Sequence, residues 1–208
     1  NNTFGRVTMR RVSSPGGTPT ISANINVTVP TTATPISVPA QGCVDHNLAA
    51  LNDRHYNAMI KWDRITGTTS LWMSHTILAN SSGQGTSNGD RDASRWYQIG
   101  NLTTTPSLLQ SGTLFDNASS NPRFFWMSSV AQTGQGHMAI CATVCGATEH
   151  AEVAVAGRFN SDPNGSTQAP TVAQTTSAAY NSGLQGTSYR WGDYSFTGVD
   201  PVDDMTIW

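Results

Sequence analysis

Apolar residues along this chain come in short runs, each cut by glycine, proline, asparagine or aspartate before a helical period can build up. No window longer than about ten residues repeats its apolar positions every 3.6 residues. What recurs is alternation over four to ten positions, the pattern of strands half-buried on one face. It predicts strands near residues 4–11, 21–29, 56–62, 70–78, 94–100, 106–110, 124–131, 137–144, 151–159, 171–175, 189–198 and 205–208. Turn-rich segments fall at residues 14–19, 81–92 and 160–166, and a Pro- and Thr-rich connection covers 30–50. The expected class is all-β, and no linker divides the 208 residues into separate domains.

Three hairpins share one order of strand, polar turn and apolar return strand. The first runs from Ala58 to Trp62, turns at Asp63 to Gly67 and returns through Leu71, Trp72 and Met73. The second runs from Phe124 to Val130, turns at Gln132 to Gly136 and returns from His137 to Ile140. The third opens with Arg190-Trp191-Gly192-Asp193-Tyr194-Ser195, turns at Asp200-Pro201 with Asp203-Asp204 and returns from Met205 to Trp208. Aligning Leu71, Ile140 and Ile207 gives a period of about 67 to 69 residues, longer than a bare propeller blade and fitting blades with inserted loops. Each copy carries an arginine beside an aromatic: Arg54 with Tyr56, Arg123 with Phe124 and Trp126, Arg190 with Trp191. The expectation is part of a β-propeller, about three to four antiparallel blades, incomplete as a single chain. Its last strand should pair across a chain break or subunit boundary.

Composition narrows the setting. Charged residues are 12% of the chain against 19 glycines and 10 prolines, which suits short strands and tight turns. A net charge of −2 with a single lysine, Lys61, gives no basic stripe for nucleic acid. Nothing resembles a transmembrane helix, and the start at Asn1-Asn2-Thr3 reads as a mature or internal fragment of an exported, extracellular or surface protein. Six sequons, at Asn1, Asn26, Asn80, Asn101, Asn117 and Asn164, could carry sugar in a eukaryotic secretory pathway. Of three cysteines, Cys141 and Cys145 would lie about 13 Å apart on a straight strand, beyond disulfide reach. A turn at Ala142 to Val144 would allow a bridge; buried thiols are the competing reading.

Several segments, taken in order, resemble landmarks of large, mostly uncharacterised secreted bacterial proteins with sialidase-like β-propeller repeats. They are Leu51-Asn52-Asp53-Arg54, Leu71-Trp72-Met73-Ser74-His75, the stretch from Asp90 to Ile99, Gln110-Ser111-Gly112-Thr113, Gly134-Gln135-Gly136-His137-Met138-Ala139, Ala156-Gly157-Arg158 with Ser161-Asp162-Pro163, and the Arg190 segment. The resemblance implies a run of blades with further domains in the parent protein, and no activity. The Asp-box pattern Ser-x-Asp-x-Gly-x-Thr-Trp is not met, because Ser161-Asp162-Pro163-Asn164-Gly165 has the wrong spacing.

Candidate chemistry is sparse. Arg54, Arg123 and Arg190 recur at equivalent positions and, with Asp193, could converge on a carboxylate-bearing ligand. The alternative is structural, each arginine pairing with a local carboxylate such as Asp53 or Asp193 and stacking on its aromatic. Glycoside hydrolysis commonly needs two carboxylates, and the only glutamates, Glu149 and Glu152, share one short segment. Asn88, Asp90 and Asp92 alternate in a Gly-containing loop as a fragment of a calcium site, with a solvated turn as the competing reading. The five histidines have no metal-ligand spacing, so no cofactor other than that Ca2+ is expected. The function expected is a non-catalytic extracellular scaffold, adhesion or assembly module that contacts other blades, a neighbouring subunit or a glycan. The alternatives are a carbohydrate-active propeller, glycosidase or lectin, and a subunit of a fibre or sheath.

Overall fold

The computed structural model describes residues 3–181, 184–185 and 187–208, and their secondary structure is all β. Five strands lead: β1 (Thr3–Met9), β2 (Val12–Ser13), β3 (Thr20–Ile21), β4 (Ile25–Ala33) and β5 (Asn47–Leu48). Two longer groups follow. The first is β6 (His55–Asp63), β7 (Thr68–Ala79), β8 (Arg91–Gly100) and β9 (Ser107–Leu114). The second is β10 (Phe124–Gln132), β11 (Met138–Gly146), β12 (Glu149–Arg158) and β13 (Thr171–Gln174). Two short strands, β14 (Leu184–Gln185) and β15 (Ser188–Tyr189), close the series.

Each long group is a four-stranded antiparallel meander in sequence order. The first two predicted hairpins are present as β6–β7 and β10–β11, and the repeat has a structural meaning. Leu71 sits on the second strand of its meander between Ile60 and Ile99, and Ile140 sits on the second strand of the other between Val130 and Ala156. Each sheet is open.

The two meanders bury one shared core. Met59, Trp72, Trp96 and Leu114 of the first meet Phe125, Val130, Met138, Ile140 and Ala154 of the second. The Trp72 and Trp96 rings stack with centroids 5.7 Å apart. β10 is the edge strand at this junction, and side chains of the first sheet bond to its main chain. Thr76 Oγ1 accepts from the Met127 N–H at 3.0 Å, Ser74 Oγ donates to the Ser128 carbonyl at 3.0 Å and Asn57 Oδ1 accepts from the Val130 N–H at 3.0 Å. A buried edge must find such partners. The ladder to β11 shifts register between Trp126 and Ser129, where Met127 has a φ of 52°. That bulge turns its backbone groups toward the hydroxyls.

Outer layers cover the remaining faces. The β1–β4 pair places Val7, Val27 and Val29 on Met73, Tyr97 and Ile99 of the first sheet. Segments around Val38, Leu48, Tyr180 and Trp191 cover Phe124, Trp126 and Cys145 of the second.

The third hairpin departs from its expectation. The strand predicted at 189–198 stops at Tyr189, because residues 190–198 run along β10 on side-chain bonds rather than a ladder. Ser195 Oγ donates to the Met127 carbonyl at 2.6 Å and Thr197 Oγ1 to the Ser129 carbonyl at 3.3 Å. The last residues then pair within the chain: Val199 bridges Ile207, and Gly198 and Trp208 exchange backbone bonds of 3.0 and 2.9 Å. The bridge considered for Cys141 and Cys145 also fails. Both lie on β11, where residues 142–144 stay in register with β12 instead of turning, and the three cysteines are free thiols.

Candidate functional site

The three repeated arginines are held by separate local partners. Arg123 Nε donates to Glu149 Oε1 at 2.9 Å, Arg190 pairs with Asp193, and the Arg54 guanidinium lies 5.7 Å from the centre of the Tyr194 ring. Glu149 fixes Arg123 more firmly in its charged form, chiefly through that hydrogen bond. Arg123 lines a cleft with Phe115, Asp116 and Phe125 that neither Arg54 nor Arg190 reaches.

The calcium candidates are split by the start of β8. Asp90 points outward and pairs with Arg91 at 2.8 Å, which lowers its pKa below the usual carboxylate value. Asp92, two residues on, is buried within the fold. One of its oxygens accepts from the Ile36 N–H at 3.0 Å and the other has no partner among the described residues. Desolvation raises its pKa well above the carboxylate range, so the acid is held toward its neutral form. Asn88 stays exposed in the loop. The three side chains form no common cage.

The most enclosed chemistry lies elsewhere, around Arg95. Arg95 and Tyr97 alternate with Ser94 and Trp96 on β8 and face β4, and Arg95 is 5% exposed. Its Nε donates to Thr113 Oγ1 at 2.9 Å and its Nη2 to the Gly83 carbonyl at 3.3 Å. It forms the floor of a cleft of about 550 Å3 whose walls include Thr31, Ser82, Ser111, Thr113 and Phe115. The walls require residues without side chains. Gly83 has a φ of +71° and a Cβ there would sit 2.6 Å from the Phe115 ring, while a Cβ on Gly112 would sit 2.3 Å from the Gly165 carbonyl.

On the other side of β4, His75 continues the constellation. Its Nδ1–H donates to the Asp53 carbonyl at 2.6 Å, which leaves Nε2 to accept from the Tyr97 hydroxyl at 3.0 Å. Burial first, then the neighbouring His55, lowers the His75 pKa to about 3. Burial likewise raises the Tyr97 phenol pKa and lowers that of the Arg95 guanidinium. Neither group was singled out from the sequence as a site residue. The available signal was a cation at a core-facing position of a strand, since Arg95, Tyr97 and Ile99 share one face.

Comparison with protein-family models, with curated proteins and with solved structures finds no match to this chain.

Proposed function

We propose that this chain is a non-catalytic module of an extracellular surface, a run of β-propeller-like units that assembles through contact with a neighbouring copy. The tandem meanders, one period apart and stacked on a common core, support a propeller-like array. The dispersal of Arg54, Arg123 and Arg190 to separate partners favours a scaffold over a glycosidase, whose arginines and two carboxylates would have to face one cavity.

The observation that carries the reading is the apolar surface of the carboxyl-terminal hairpin. Phe196 is 83% exposed, Val202 92% and Trp208 76%. These residues project from a firmly anchored base. Asp204 pairs with Lys61 and, at 2.9 Å, with Arg64; the Gly134 N–H donates to the Asp204 carbonyl at 2.9 Å, and the Arg64 N–H to the Gly134 carbonyl at 2.8 Å. One turn thus ties the β6–β7 and β10–β11 hairpin turns together and presents apolar side chains outward. Exposed apolar residues on a rigid support mark a contact surface. Sedimentation velocity of the full chain tests this: self-association should rise with concentration and weaken at least tenfold in a Phe196→Ser, Trp208→Ser double variant. A wild-type chain that stays monomeric at every concentration contradicts it.

A further inference from the structure

The cleft over Arg95 carries an inference that is independent of the assembly reading. Among the described residues three arginines are nearly inaccessible to solvent: Arg91, Arg95 and Arg158. Arg91 is neutralised by Asp90. Arg158 feels the Asp162 carboxylate and donates to the Asp162 carbonyl at 2.7 Å. Arg95 is different: its partners are all neutral, the Thr113 hydroxyl, the Gly83 carbonyl and the Tyr97 phenol, whose pKa burial raises. Among the described residues no carboxylate pairs with it.

A cation withdrawn from water without a counter-charge is costly, and such a group facing a cleft is a candidate for a functional site. Arg95 lines a cleft of about 550 Å3 rather than lying sealed in the core. The remaining lining defines the kind of anion. The lining includes the hydroxyl-bearing residues Thr31, Ser82, Ser111 and Thr113, the amide-bearing Gln84 and the aromatic Phe115, residue types that hydrogen-bond in both directions and offer a flat apolar face. A hydroxylated ring bearing one oxyanion matches all three features, and a volume of about 550 Å3 accommodates one or two such rings. An acidic peptide side chain would use the guanidinium and leave the hydroxyls unused.

We propose that this cleft binds an acidic saccharide, with the Arg95 guanidinium pairing its carboxylate or sulfate oxygens and Phe115 supporting the sugar ring. Thr113, Gly83 and Tyr97 hold the guanidinium fork in place at the cleft. The ligand would supply the missing counter-charge.

The test is amide chemical-shift mapping on the isotopically labelled full chain, titrated separately with glucuronate, glucose 6-sulfate, glucose and N-acetylglutamate α-amide. Saturable shifts at Gly83, Gly85, Gly112 and Thr113 with glucuronate or glucose 6-sulfate, and weaker binding of glucose by at least tenfold, are expected. Whichever of the two acidic sugars binds more tightly identifies the source of the oxyanion. Arg95→Gln should reduce that affinity at least tenfold. If this variant fails to fold, the wild-type map decides by itself. Equal affinity for glucose, tighter binding of the glutamate derivative, unchanged affinity in folded Arg95→Gln, shifts confined to other surfaces, or the absence of saturable shifts would each overturn the proposal.

Discussion

The imidazoles of His55 and His75 lie with their centroids 4.6 Å apart beneath the β1–β4 sheet, and burial keeps both below the ordinary histidine pKa. Their surroundings offer little to stabilise a proton. Arg6 lines the same small cavity from β1, Arg95 stands behind Tyr97, and Asp53 is the one carboxylate at hand. The unfolded chain takes up protons near pH 6.5, while folded His75 resists until about pH 3. Stability from this group is therefore complete above pH 6.5 and lost as pH falls toward 3, at up to ~1.4 kcal/mol per pH unit for one proton. Urea unfolding between pH 7 and pH 4 should show this decline, and His75→Gln should flatten it. An unchanged slope in the variant contradicts the assignment.

Asp92 has the opposite sign. A carboxyl whose folded pKa is raised contributes stability below its unfolded value near 3.8, and that contribution is lost as pH rises through the interval to its folded value. At pH 8 the wild type carries the cost of a poorly solvated acid. Asp92→Asn keeps an acceptor for the Ile36 N–H without charge, and should gain about 1–3 kcal/mol at pH 8. A loss at pH 8 in urea unfolding would show that the charged form is supported.

Because Asp90 is engaged by Arg91 and Asp92 faces inward, millimolar Ca2+ should leave the melting temperature unchanged. A rise in Tm that chelation reverses would instead restore the loop as a calcium site.

The junction between the meanders depends on side chains bonding to the main chain. Thr76→Val preserves shape but strips the Met127 N–H of its acceptor in a buried setting. The expected loss is about 1–3 kcal/mol, the penalty for an orphaned buried donor. Arg123→Gln breaks a pair whose two side chains are 40% and 30% exposed, and should cost under ~1 kcal/mol. Denaturant melts of both variants check this ordering, and a reversed ordering would mean that Arg123 holds more than its local partner.

Hairpins were the part of the fold most open to reading from the sequence. β6–β7 and β10–β11 follow from alternation broken by Gly- and Asp-rich turns, since the period-two pattern and turn chemistry act locally. The stretch from Arg190 to Gly198 has the same local signs, yet its hydroxyls are used on the bulged β10, a partner 68 residues away. No local pattern encodes that choice. Asp92 was legible as a polar loop residue next to Asn88 and Asp90, but β8 begins at Arg91 and the pleat turns Asp92 inward. Arg95 has no local sign of its environment in the Asp90–Ile99 stretch; the partners that leave its charge without a carboxylate, Gly83, Tyr97 and Thr113, come together only on folding. Arg54, Arg123 and Arg190 share a sequence context but meet separate groups, Tyr194, Glu149 and Asp193, of which only Asp193 lies within three residues of its arginine.

Hydrogen exchange at the amides of Met205, Thr206, Ile207 and Trp208, followed over a range of protein concentration, bears most directly on assembly through the terminal hairpin. Exchange there should slow as concentration rises while the β6–β9 core amides stay constant. Rates at these four residues that do not depend on concentration would contradict it.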